Sequence, residues 1–140
     1  MIYFHKEDVA FPAVKKRICK KWITETIKKE NKFPGEINIV FCSDDYLLSV
    51  NEKYLKHNYY TDVITFNYVE NNIIKGDVFI STERVKENEG RYNNKNEVYR
   101  VIIHGILHLI GYNDKTKEQE NEIREKEDFY LEVLNGKFIT

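Results

Sequence analysis

Cysteine, proline, methionine and tryptophan are scarce in this 140-residue chain, which has two Cys, two Pro, one Met and one Trp. Cys19 and Cys42 fit neither a CxxC redox pair nor a CxxC zinc spacing, so a disulfide-built or zinc-ribbon scaffold is excluded. They lie in segments that read as an amphipathic helix and a strand, and both are expected as small buried hydrophobes. No apolar run reaches the ~20 residues needed to span a bilayer. The first segment, MIYFHKEDVAFP, carries charge from Lys6 onward and does not read as a signal peptide, so a soluble intracellular protein is expected. An excess of one charge is absent too. Lys and Arg total 22 against 23 Asp and Glu, a net charge of −1. No global field draws the chain to nucleic acid or membrane, and RNA binding would have to rest on a local patch. There is no internal repeat, low-complexity segment or linker, and the length suits one domain over 1–140.

What the sequence does have is one apolar segment interrupted by polar groups of metal-ligand type: HGILHLIGYND, His104 to Asp114. Val101, Ile102, Ile103, Ile106, Leu107, Leu109 and Ile110 surround this helix on nearly every side, which predicts a buried central helix. The i, i+4 spacing of His104 and His108 puts both imidazoles on one face, close enough to share an ion. Gly111 stands where a left-handed residue ends a helix. The reversal there can bring in Asp114 as a third ligand. Two histidines, a carboxylate and an open fourth position make a catalytic rather than a structural zinc site. The alternative is a pair of core histidines bonded to backbone or buried water.

Around this helix the pattern predicts an α+β sandwich. It comprises a short mixed four-stranded sheet packed with about five helices, with the metal site at the C-terminal end of the central helix. Ile2 to Phe4 reads as a first strand. A helix starts at Pro12 and runs to about Lys29, with Val14, Ile18, Trp22 and Ile27 on its stripe. Its outer face carries Arg17, Lys20, Lys21 and Lys28, which can track phosphates or simply be solvated. Ile37 to Cys42 is a buried strand, and Ser43 caps a helix reaching about Lys56. Val63 to Phe66 and Asp77 to Ile80 form a hairpin punctuated by Asn71 and Asn72. Ser81 or Thr82 caps a short helix ending near Gly90. Asn94 and Glu97 form a capping-box-like pair before the histidine helix. Thr116 and Gln119 repeat it before the last helix, where Ile123, Tyr130, Val133 and Leu134 face inward and Gly136 is the stop.

HGILHLIGYND resembles the HGxLHLxGyDH signature of the YbeY family of metal-dependent endoribonucleases involved in ribosomal RNA maturation. NEKYLKHNYYTDVITF resembles the family's stretch leading into TDVLSF, and KGDVFIS resembles its GDIxIS strand. The resemblance implies His104, His108 and Asp114 as ligands of one zinc ion. It also implies RNA of the ribosomal subunit as partner, maturation of the 16S 3′ end and ribosome quality control as role, and the cytoplasm as location. Asp114 stands where the family has a third histidine, and Leu55 stands where its LNxxYR segment has an arginine. A carboxylate is a competent but harder ligand, which opens the site to other divalent ions.

Zinc-type chemistry points to hydrolysis. A peptidase helix of HExxH type carries a glutamate base where Gly105 stands, which disfavours proteolysis. Phosphodiester cleavage chiefly needs cations near the phosphoryl oxygens. Arg100, one turn before His104, is the first candidate for that role, with an ion pair to Glu97 as its alternative. Lys56 is the second. His57 is a possible acid or base, His5 a weaker one, and Tyr59 and Tyr60 can stack on bases. Asp62 and Asp77 read as loop-orienting residues. Competing functions are a metallopeptidase, an iron oxygenase using the same two-histidine, one-carboxylate set, and a ribosome-assembly factor whose metal is structural.

Overall fold

The computed structural model describes residues 1–92 and 96–139. In chain order the elements are β1 (Ile2–Lys6), α1 (Lys16–Lys29), β2 (Phe33–Cys42), α2 (Asp44–Leu55), β3 (Val63–Asn67) and β4 (Ile73–Ser81). They are followed by α3 (Thr82–Tyr92), α4 (Glu97–Ile110), α5 (Lys117–Val133) and a π-helical turn, Leu134–Phe138. The sheet order is β1-β2-β4-β3, with β1 and β4 parallel to β2 and the edge strand β3 antiparallel to β4. The α+β arrangement of a mixed four-stranded sheet with five α-helices is the one the sequence pattern predicts.

Alternation along the strands divides the core. Ile39 pairs with Val78 and Phe41 with Ile80, and these buried side chains join Trp22, Ile23 and Ile27 of α1 and Ile102, Ile103 and Ile106 of α4 in one cluster. On the opposite face Cys42 and Ile64 pack with Leu47 and Val50 of α2. Both thiols are buried, and burial pushes each up to about 12. The indole of Trp22 donates to the Tyr130 carbonyl at 2.8 Å, which ties α1 to α5.

Helix α4 packs on the sheet with no room for a side chain at two glycines. A Cβ on Gly105 would come within 2.6 Å of Val78 Cγ1, and one on Gly76 within 2.7 Å of Leu109 Cδ2. That contact sets the height of the histidines above β3 and β4.

Several boundaries differ from the sequence reading. Helix α1 begins at Lys16, four residues after Pro12. Val14 N–H closes a turn on the Pro12 carbonyl, and the Lys15 N–H is satisfied by the Tyr99 hydroxyl of α4 at 3.0 Å, a tertiary cap that no local pattern reveals. Strands β2 and β4 start earlier than expected, with a register irregularity between Pro34 and Ile37. Gly90 lies inside α3 rather than at its end, and Gly136 lies inside the π-helical turn that extends α5. Ser43 caps α2, accepting from Tyr46 N–H at 3.0 Å, and Ser81 accepts from Arg84 N–H at 3.3 Å at the start of α3. Asn94, half of the capping pair expected with Glu97, lies outside the described residues.

Candidate metal centre

The last turns of α4 carry His104 and His108 on the side facing β3 and α5. Gly111 ends the helix at φ 129°, its N–H donating to the Leu107 and His108 carbonyls, both at 3.1 Å. The chain then reverses toward α5, whose start is pinned by a reciprocal capping box. Thr116 Oγ1 accepts from Gln119 N–H at 3.1 Å, and Gln119 Oε1 accepts from Thr116 N–H at 3.2 Å. With the loop fixed at both ends, Asp114 faces the two imidazoles.

His108 Nε2 lies 3.0 Å from His104 Nε2 and 3.3 Å from Asp114 Oδ2, and His104 Nε2 lies 3.5 Å from that same oxygen. An ion bound tetrahedrally at 2.0–2.1 Å sets its ligand atoms about 3.3 Å apart. Two ring nitrogens and a carboxylate oxygen at these edges therefore fit a divalent ion, and the donor set is that of a hydrolytic zinc site. Among the described residues these three form the cluster able to hold a metal.

Glu127 of α5 completes the arrangement. Its Oε2 lies 2.6 Å from His104 Nδ1, while its Oε1 accepts from Arg100 Nη1 at 2.9 Å. Arg100 Nη2 also donates to Asp128 at 2.7 Å. A carboxylate on Nδ1 fixes the proton there and leaves the Nε2 lone pair directed to the side where His108 Nε2 and Asp114 Oδ2 lie. Burial alone would lower the His104 pKa, but the hydrogen bond and charge of Glu127, with Asp114, raise it above the ordinary value. His108 goes the other way, lowered by burial and by His104 despite Asp114. The sequence reading missed Glu127. The available signal was a carboxylate on the inward stripe of α5, between Ile123 and Tyr130, where an apolar residue is the norm.

Other candidates fall in different places. Arg100 bonds to Glu127 and Asp128, not to Glu97, and both of its terminal nitrogens are engaged. Glu97 is buried at the start of α4, and burial raises its pKa. Lys56 closes α2 in the left-handed region at φ 58°, exposed to solvent. His57 stacks on Tyr59, whose hydroxyl lies 3.0 Å from His57 Nδ1. Tyr59 is held by Asn51, and Tyr60 by Asp45. Asp62, read as a loop-orienting residue, lines a cleft of about 240 Å³ with Thr61, Thr65, His104, His108 and Asp114. His5 and Asp77 bracket Asn38 on the sheet, at 2.7 Å and 3.1 Å. Arg17, Lys20, Lys21 and Lys28 form an exposed face of α1.

A family model described as Endoribonuclease YbeY matches residues 2–135. The chain belongs to the YbeY family. Its relatives include the Endoribonuclease YbeY of Karelsulcia muelleri, 48% identical over 121 residues that cover 85% of this chain and 86% of that one. The Endoribonuclease YbeY of Parabacteroides distasonis is 43% identical over 135 residues, 95% of each chain. The solution structure of TM1509 from Thermotoga maritima superimposes with a TM-score of 0.69 at 29% identity, covering 97% of this chain and 90% of that one. In this YbeY chain the family's HGxLHLxGyDH motif thus spans the end of α4 and the loop that delivers Asp114.

Proposed function

We propose that this chain is a zinc-dependent endoribonuclease, one domain over 1–140, that cuts single-stranded RNA during maturation of the 16S rRNA 3′ end in the cytoplasm. Its partner is the ribosomal subunit. The carrying observation is the triangle of His104 Nε2, His108 Nε2 and Asp114 Oδ2, with edges of 3.0–3.5 Å, in a chain of the YbeY family. No helix among the described residues is long and apolar enough to cross a membrane.

Zinc held by His104, His108 and Asp114 would supply a Lewis acid able to bring the pKa of a water toward about 7. The protein's part is positional. Glu127 holds the His104 proton on Nδ1, and Arg100 holds Glu127, so the Nε2 lone pair stays aimed at the ion. Asp114 contributes one negative charge, which leaves the centre less electrophilic than three neutral imidazoles would. Gly105 supplies no base in the place where a peptidase carries glutamate, and a phosphodiester has less need of one. Arg100 acts on the reaction through Glu127. Lys56 is a contact for RNA that runs past the cleft over the loop between α2 and β3.

The test is incubation of single-stranded RNA with the protein, with and without chelator, beside a His108→Ala variant. Cutting that chelator abolishes and zinc restores is expected. Cutting that survives chelator comes from a contaminant. A folded, metal-loaded protein that leaves RNA whole would replace this reading with the assembly-factor role.

A further inference from the structure

An endonuclease of this kind must neutralise the phosphate it cuts, and the clefts that hold His104, His108 and Asp114 are lined by the acids Asp62, Glu97, Asp114, Glu120 and Glu127. Of the +2 charge on a divalent ion, Asp114 offsets one unit. Arg100 offsets Glu127 and has no free terminal nitrogen. A phosphodiester entering here therefore meets more negative charge than positive unless another cation is present.

We infer that Arg124 is that cation and binds the non-bridging oxygens of the phosphodiester at the metal; the inference rests on the nuclease reading above. Arg124 precedes Glu127 by about one turn of α5, and both line the same two clefts. It lines the cleft of about 450 Å³ that holds Asp114 and also the cleft of about 200 Å³ that holds His104. It is exposed and, among the described residues, has no hydrogen bond or ion pair of its own. Arg84, by contrast, is tied to Asp44 by two hydrogen bonds. Lys117 is the other cation on the larger cleft, but it does not reach the smaller one beside His104. A guanidinium presents two parallel N–H donors that match two phosphoryl oxygens, which an ammonium cannot do. Placed between the clefts, it can hold a strand that passes from one to the other across the metal.

The experiment measures fluorescence anisotropy of a short 2′-O-methyl single-stranded oligonucleotide with the zinc-loaded protein across a salt series, the probe's integrity being checked on a gel. Arg124→Ala is expected to weaken binding about tenfold and to lower the slope of log K against log salt by about 0.7, with zinc content and thermal midpoint unchanged. Arg124→Lys is expected to recover the slope and only part of the affinity. Lys117→Ala is expected to lose less than about threefold. Equal affinity and slope for Arg124→Ala and the parent would overturn the inference, as would an equal loss in Lys117→Ala or a loss of zinc from Arg124→Ala. If the parent binds and cuts RNA while Arg124→Ala matches it, only this inference fails. If the parent neither binds nor cuts, the nuclease reading fails with it.

Discussion

At the scale of single residues, the site depends on what stands behind the ligands. Glu127 touches His104 at Nδ1 and so fixes which ring nitrogen carries the proton. Glu127→Gln keeps the shape but removes the charge and leaves Arg100 facing an amide. Zinc affinity is expected to fall about 10–100-fold, measured by competition with a chromophoric chelator, with the fold intact by circular dichroism. Unchanged affinity would mean that the contact is incidental. At Asp114 the expectation has the opposite sign for one replacement. Asp114→His retains metal and tightens zinc, because imidazole suits that ion, while Asp114→Ala weakens it. The two histidines were legible in the sequence because their spacing is local. Asp114 was legible because Gly111 announces the reversal. Glu127 was not, since it lies 23 residues from its partner and only the packing of α5 on α4 brings it there.

At the scale of elements, α4 is placed by the absence of side chains as much as by their presence. Gly105→Ala puts a methyl 2.6 Å from Val78 Cγ1 and is expected to destabilise by about 1–3 kcal/mol, visible as a lower thermal midpoint. The double variant with Val78→Ala is expected to lose less stability than the two separate losses added together, the mark of a shared contact. Gly90 has open space around its Cβ position and lies inside α3. Gly90→Ala is expected to stabilise by up to about 1 kcal/mol. A stabilised Gly105→Ala would contradict the close approach of α4 to β4. The same comparison explains why boundaries were harder to read than elements. Gly90 looked like a stop because glycine often ends helices, but α3 continues through it to Tyr92. Pro12 looked like a helix start, but the free N–H was met by Tyr99 three residues further on, from another helix.

Across the whole molecule, Glu30 at the end of α1 accepts hydrogen bonds from Tyr112 at 2.6 Å, from Tyr130, and from Lys126 at 3.4 Å, joining α1, the loop after α4, and α5. Burial opposes its charge, but the two phenols and Lys126 outweigh it and hold the pKa below the ordinary glutamate value. A group depressed in this way stabilises the fold above its unfolded pKa, and that contribution is lost as pH falls through the folded value. Glu30→Gln is therefore expected to lower the thermal midpoint at neutral pH, with the gap to the parent closing below about pH 4. A gap that persists in acid would place its origin in packing rather than charge. The sheet order shows the same limit on local reading. The hairpin of β3 and β4 was legible from Asn71 and Asn72 between two apolar runs. The parallel pairing of β1 with β2 and of β2 with β4 was not, because each joins segments separated by a helix. The central claim is that His104, His108 and Asp114 grip one divalent ion. Metal content by mass spectrometry of the parent and His108→Ala proteins, purified without added metal and then equilibrated with zinc, tests it most directly. One zinc per parent chain and a marked loss in His108→Ala is the expected result. Equal zinc in both, or none in the parent, would contradict the account.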